Sequence, residues 1–225
     1  MTIALVDVRK TYNISGSEVF ALDGVNLTIP TGEFTAIMGP AGSGKSTLMK
    51  ILGCLDRPTV GSYTLDGQEV THLTDAALAA TRKKKIGFVD QNFSLLPRMS
   101  ALQNTTIPLI YAGIGKEERY ERAEQALLTV GLDKCLRQRP NEMSDCQRQR
   151  VAIAQALVNN PDIILADEPT GNLDTKAGDE IMDVFSSLSQ QGHTVVIVTH
   201  APDIARRMCR VVHVRNGRIV RDDKI

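Results

Sequence analysis

Gly39-Pro40-Ala41-Gly42-Ser43-Gly44-Lys45-Ser46 is the stretch that decides how this 225-residue chain is read. Its spacing is Gly-x-x-x-x-Gly-Lys-Ser. It lies between an apolar run, Phe34-Thr35-Ala36-Ile37-Met38, and an amphipathic one, Ser46-Thr47-Leu48-Met49-Lys50-Ile51-Leu52. The first run predicts a buried strand and the second a helix. Between them the glycines let backbone N–H groups converge on phosphate oxygens with no Cβ in the way, while the helix N-terminus adds partial positive charge. Lys45 is placed to reach β- and γ-phosphates, and the Ser46 hydroxyl to ligate magnesium. A glycine-rich turn that merely ended a strand would need neither all eight positions nor both flanking elements. A nucleoside triphosphate is therefore the expected ligand.

Outward from this loop, strand and helix patterns alternate. Ile163-Ile164-Leu165-Ala166 and Val195-Val196-Ile197-Val198 are continuous apolar strands, and Ala177, Ile181, Val184, Phe185 and Leu188 form the apolar stripe of a helix between them. Apolar runs without alternation imply a parallel sheet covered on both faces. Residues 3–8 and 25–29 are β-patterned, broken by Asn13-Ile14-Ser15-Gly16-Ser17 and Pro30-Thr31-Gly32, as expected of antiparallel strands at an edge. Residues 62–67 and 86–89 are also strand-like. From about 95 to 142 the chain is mostly helical, most clearly over 117–130, which reads as an inserted helical subdomain. The expected class is α/β: an antiparallel β subdomain (1–33, with strands returning near 62–67), a parallel-sheet nucleotide-binding core (34–94 and 143–225) and the helical insertion, all in one domain of the P-loop NTPase type.

Charge balances at 26 basic and 26 acidic residues, so no global field recruits nucleic acid or anionic lipid. The cluster Arg82-Lys83-Lys84-Lys85 reads as a solvated helix end. The first residues lack the pattern of a secretory signal, and no apolar run approaches the roughly 18 residues of a spanning helix. Neither nucleic-acid binding nor direct membrane insertion is expected. Cys54, Cys135, Cys146 and Cys209 have no C-x-x-C spacing, which predicts reduced thiols and no zinc site.

Immediately after the strand at 163–166 stand Asp167 and Glu168. In open parallel sheets ligands bind beyond the carboxyl ends of strands, so both carboxylates are expected at the edge that carries the phosphate loop. Asp167 would hold magnesium, directly or through water, and Glu168 would polarise the attacking water.

This order of motifs resembles the ATP-binding cassette family, the ATPase subunits of transporters, over essentially the whole chain. The resemblance implies ATP and Mg2+ as cofactors. It implies that Gln91 is a glutamine-loop residue contacting magnesium and the nucleophilic water. Gly171-Asn172-Leu173-Asp174 resembles the dimer-contacting loop, His200 the switch histidine near the γ-phosphate, and Tyr12 the aromatic residue stacked on adenine. His72, His193 and His213 lack such a setting. Ile86-Gly87-Phe88-Val89-Asp90-Gln91-Asn92-Phe93 and Gly53-Cys54-Leu55-Asp56-Arg57-Pro58 are similar to the macrolide-exporter and lipoprotein-releasing type, as is the run from Leu165 to Asp174. The implied partners are a transmembrane permease and a second cassette, in a homodimer or a heterodimer. The implied location is cytoplasmic, peripheral on the inner face of the cell membrane. A docking groove is expected around residues 91–111, where Phe93, Leu95, Leu96 and Met99 are either surface or subdomain core.

One motif departs from the family. In place of Leu-Ser-Gly-Gly-Gln the chain has Met143-Ser144-Asp145-Cys146-Gln147. In a cassette dimer this signature closes over ATP held by the other protomer, with Ser144 and Gln147 among the contacts. Asp145 adds a negative charge there: two unit charges about 6 Å apart repel by roughly 3 kcal/mol at an effective dielectric near 20, about a hundredfold in closing, unless magnesium or an outward rotamer relieves it. The same residues make Ser144-x-x-Gln147 a capping box for a helix over 145–159, with Asp145 favouring the helix dipole. Gln155, where the family usually has Arg, removes a positive charge from that helix. The alternative reading is a regulatory subunit whose defective signature serves a heterodimer.

Overall fold

A computed structural model describes residues 3–14 and 16–225. β1 (Ile3–Ile14) and β2 (Ser17–Ile29) pair antiparallel. Both run longer than the sequence pattern suggests. Register shifts where Asp7 and Gly24 adopt positive φ (46° and 75°) break the two-residue alternation that marks a strand. β3 (Phe34–Met38) leads into the phosphate loop and α1 (Lys45–Leu52). β4 (Val60–Leu65) and the short β5 (Gln68–Glu69) return to the first sheet, giving the strand order β2-β1-β4-β5.

α2 (Asp75–Lys85) is capped by Thr74, whose Oγ1 accepts from the Ala77 N–H at 3.3 Å, and it feeds β6 (Ile86–Val89). The basic end of α2 is only partly solvated: Arg82 donates to the Cys54 carbonyl (2.8 Å) and Lys85 to Asp66 (2.9 Å), while Lys83 and Lys84 are exposed. α3 (Ala101–Tyr111), α4 (Lys116–Thr129), a 3-10 turn (Pro140–Glu142) and α5 (Asp145–Leu157) follow. β7 (Ile163–Asp167), α6 (Thr175–Gln190), β8 (Thr194–Thr199) and α7 (Pro202–Ala205) then lead to a last hairpin, β9 (Arg210–Arg215) and β10 (Arg218–Lys224).

The second sheet has the order β10-β9-β3-β8-β7-β6, parallel except for β10. Its continuous apolar strands are explained by cover on both faces. On β7, Ile164 and Ala166 join one core cluster with Val195, Ile197, Phe185 and Ile153, while Ile163 and Leu165 join another with Val196, Val198, Leu48 and Ile37. Fully burying a Val, Leu or Ile side chain stabilises by about 1.5–3 kcal/mol, so every position of the run contributes.

This hairpin also braces the nucleotide-binding side of the sheet. Asn216 and Gly217 take positive φ (49° and 74°), the geometry of a two-residue type I′ turn. The Gly217 N–H donates to the Ser43 carbonyl (2.8 Å), and the Gly217 carbonyl accepts from the Asp23 N–H (2.9 Å). Arg210, only 8% exposed, pairs with Asp222 through Nε and Nη2 (2.7 and 2.6 Å), and its Nη1 donates to Glu33 (2.9 Å) and the Thr28 carbonyl (2.7 Å).

Candidate active site

The parallel registers Met38 with Thr199, Asp167 with Val198 and Val89 with Ala166 align the carboxyl ends of β3, β8, β7 and β6 along one edge. Each strand delivers one element of the site there. After β3, the loop 39–44 ends at Gly44, the N-cap of α1, with φ 106°; a Cβ on it would lie 2.4 Å from the Ala21 carbonyl oxygen. Gly39 is equally constrained, since a Cβ there would lie 2.1 Å from the Val214 carbonyl oxygen and 2.6 Å from Ser43 Oγ. Ser43 is 3% exposed, and its Oγ has no hydrogen-bond partner among the described residues. Lys45 Nζ donates to the carbonyls of Gly39 (2.8 Å) and Pro40 (2.9 Å), which holds the ammonium across the mouth of the loop.

After β7, burial pushes the Asp167 carboxyl above its ordinary range; Glu168 and Asp90 add to the shift, and Lys45 and Lys50 oppose it. Asp167 therefore stands in a negative field that nearby lysines only partly offset, a setting a hard divalent cation such as magnesium would relieve, although the described residues include no cluster of three acidic, histidine or cysteine side chains able to hold a metal by themselves. The orphaned Ser43 hydroxyl suits a phosphate oxygen, while the missing Cβ atoms at Gly39 and Gly44 let the loop pack closely against Val214 and Ala21. Glu168 adopts φ 45°, a strained conformation that tends to cluster at functional sites. Its N–H donates to the Val198 carbonyl (2.8 Å), Thr199 Oγ1 donates to Oε2 (3.2 Å), and His200 Nδ1 lies 2.6 Å from Oε1. His200 itself is exposed, as is Gln91 after β6. The Gln91 carbonyl accepts from Asn172 Nδ2 (2.9 Å), and its side-chain amide lies against Gly171, where a Cβ would come within 2.9 Å of Nε2.

Tyr12 approaches the same region from the antiparallel sheet, close to Thr47 in the first turn of α1. Its hydroxyl donates to Asp56 Oδ2 (2.8 Å), Lys10 Nζ bonds Asp56 Oδ1 (2.6 Å), and the Lys10 ammonium lies 5.1 Å from the ring centre. Burial, then Asp56, raises the phenol above its ordinary range. Lys10, Asp56 and Val19, the cross-strand partner of Tyr12, went unread in the sequence as parts of this platform. The signal for Val19 was the hairpin register; Asp56 is 44 residues from Tyr12 and had none.

The signature residues lie elsewhere. Ser144, Asp145 and Cys146 share a hollow with Asn172, Leu173, Asp174, Lys176 and Glu180, and none of residues 39–47 lines it. The capping box is complete: Ser144 Oγ accepts from the Gln147 N–H (3.2 Å), and Gln147 Oε1 accepts from the Ser144 N–H (2.9 Å). Gln147 Nε2 turns inward to Cys135 Sγ (3.4 Å), so both ends of that side chain are engaged within the chain. Asp174 is the N-cap of α6, accepting from the Ala177 N–H at 2.8 Å. Asp145 pairs with Arg148, and Cys146 Sγ lies 3.7 Å from Glu180. Gln155 lines a different groove, between the core and the helices 101–129, with Leu55, Phe93 and Tyr111.

The chain matches the ABC transporter family over residues 22–171. It is 55% identical over 219 residues to an uncharacterized ABC transporter ATP-binding protein, YknY, of Bacillus subtilis (strain 168), an alignment covering 97% of this chain and 95% of that one. It is 50% identical over 218 residues to the macrolide export ATP-binding/permease protein MacB of Syntrophobacter fumaroxidans, covering 96% of this chain and 30% of that protein. Its fold superimposes with a TM-score of 0.90 on the dimeric structure of MJ0796, described as a bacterial ABC transporter cassette, at 45% identity and covering 99% and 98% of the two chains. A post-hydrolysis dimer of the same cassette, bound to ADP and Pi, gives the same score at 44% identity over the same shares. The fold, the edge that gathers four loops and these likenesses agree: the chain belongs to the ABC transporter family, as its ATP-binding domain.

Proposed function

We propose that this chain hydrolyses ATP with magnesium at a site completed by a second cassette, and that closing and reopening of the pair drives a transmembrane permease. The observation that carries the proposal is the separation within one chain of the phosphate-loop edge from the signature hollow. One copy offers two half-sites. A dimer in which each hollow covers the other copy's loop turns them into two whole ones, and the dimeric likeness supports that arrangement.

Within a closed site, the backbone N–H groups left free in the loop 39–44 cradle phosphate oxygens, Pro40 having none to give and Ser43 donating its own to the Pro40 carbonyl, and Lys45 exchanges its two carbonyl acceptors for β- and γ-phosphate oxygens. Ser46, Asp167 and Gln91 would hold magnesium. When bound, the ion neutralises charge on the β- and γ-oxygens. Glu168 Oε accepts a proton from the attacking water, and His200 and Thr199 fix the carboxylate's orientation. Ser144 and the first turn of α5 face the γ-phosphate of the other copy. The adenine lies on the face of Tyr12 that Lys10 leaves open.

The steady-state ATPase rate against protein concentration, with and without magnesium, tests this. A rate per molecule that rises with concentration and needs magnesium supports a homodimeric enzyme. Activity that appears only after Asp145→Gly and Cys146→Gly, or only on mixing with another cassette, would replace this reading by that of a regulatory subunit in a heterodimer.

The groove between the nucleotide-binding core and the helical subdomain (about 95–142) is the proposed seat of the permease, at the inner face of the cell membrane. Phe93 and Leu95 pack against the core, so they are chiefly subdomain interior, whereas Leu55 (52% exposed), Leu96 (49%) and Tyr111 (78%) present apolar surface. Joint substitution of Leu96 and Tyr111 by Asp is expected to weaken co-purification with the permease at least tenfold, since two buried anchors are worth about 2 kcal/mol or more. ATP binding and the circular dichroism spectrum should stay as in the parent.

A further inference from the structure

We infer that Arg148 is a positioning residue that keeps the acidic signature usable, by holding the Asp145 carboxylate away from the helix N-terminus that receives phosphate. The inference rests on the proposed seating of this signature over a partner's ATP.

The first turn of α5 contains Asp145, and the free N–H groups of that turn attract any nearby anion. An Asp at this position is such an anion. Left alone, its carboxylate would compete with a γ-phosphate for the same amides and repel it as well. Arg148 prevents this by position: it stands three residues along the helix, so pairing with its Nη2 draws the carboxylate towards the helix body.

An ordinary exposed pair at this spacing would hold weakly. This one is preorganised from the arginine side. Arg148 Nη1 donates to the carbonyls of Pro140 (3.1 Å) and Met143 (3.0 Å), and the guanidinium lies 5.5 Å from the centre of the Phe93 ring. Two backbone acceptors and an aromatic face fix the fork before it meets Asp145, so little side-chain freedom remains to be lost in making the pair. Phe93 follows Gln91 by two residues and has φ 61°, so the loop carrying Gln91 also supports the clamp. Cys146 is drawn aside separately, by Glu180, which Arg150 holds at 3.1 Å.

The experiment measures ATP-driven dimerisation by sedimentation in the Glu168→Gln background, where hydrolysis does not consume the complex. Adding Arg148→Gln is expected to raise the ATP concentration for half-dimerisation about tenfold, a partly screened charge effect. Adding Asp145→Asn to that variant should bring it back to within about threefold of the starting chain. Raising the salt concentration should shrink the Arg148→Gln defect, which a purely structural loss would not do. An Arg148→Gln chain that dimerises like its parent overturns the inference, as does a defect that Asp145→Asn fails to relieve. If the Glu168→Gln chain forms no ATP-driven dimer at all, the seating of the signature on ATP is itself overturned, and the inference with it.

Discussion

Replacing Glu168 by glutamine is expected to lower ATP turnover by about a thousandfold, within the range for loss of a positioned general base, while ATP still binds. The substitution suits the geometry because it changes little else. The amide keeps an oxygen able to accept from Thr199 Oγ1, and the backbone N–H bond to Val198 is untouched. What disappears is the carboxylate that His200 faces at 2.6 Å and that is needed to take a proton from water. Phosphate release, equilibrium ATP binding and sedimentation together check the prediction: turnover lost, affinity kept, and a long-lived dimer in the presence of ATP. Turnover equal to the parent's would remove Glu168 from the role of base and leave the strained backbone there without an explanation.

Gly39→Ala is expected to have the second large effect, on nucleotide binding and stability together. The added methyl would lie 2.1 Å from the Val214 carbonyl oxygen, on a strand held in the sheet on both sides, and 2.6 Å from the buried Ser43 Oγ. The Val214 carbonyl is backbone and cannot turn aside as a side-chain end could. Overpacking of this kind costs about 3 kcal/mol, and relief by displacing the loop would pull its N–H groups out of convergence. Thermal denaturation should show a lower midpoint, and isothermal titration an ATP affinity at least a hundredfold weaker, roughly the loss of two charge-assisted hydrogen bonds. Gly42→Ala makes the contrast for stability, since a Cβ there meets no protein atom within 4 Å; its cost to the thermal midpoint should be confined to the strain of φ 73°.

What could be read from the sequence was what is local in it. The phosphate loop, the Asp167-Glu168 step and the capping box at Ser144 each fit within eight residues, and their geometry follows from hydrogen bonds between near neighbours. The apolar runs at 163–166 and 195–198 announced a two-sided parallel sheet, because period-two alternation vanishes when both faces are covered. The platform under Tyr12 stayed hidden, as Lys10 and Asp56 meet across 46 residues and only the folded sheet brings them together. The orientation of Asp145 was equally unreadable: an outward rotamer was conceivable, but the anchoring of Arg148 by carbonyls at 140 and 143 depends on the loop before the helix. The final hairpin carried a readable signal, Asn216-Gly217, obscured by the charges of Arg218, Arg221, Asp222 and Asp223 on a strand that lies at the sheet edge.

That hairpin sets a schedule for the nascent chain. Ser43 leans on Gly217, Gly39 is walled by Val214, and Arg210 ties the same hairpin to Glu33 and Thr28 beside the start of β3. The phosphate loop is translated more than 160 residues before the segment that braces it, an interval of about 10–30 s at ordinary elongation rates. Until residues 210–217 have been made, the loop lacks both the Val214 wall and the Gly217 hydrogen bond, so its final geometry is a late, long-range product of folding rather than a property of the local motif.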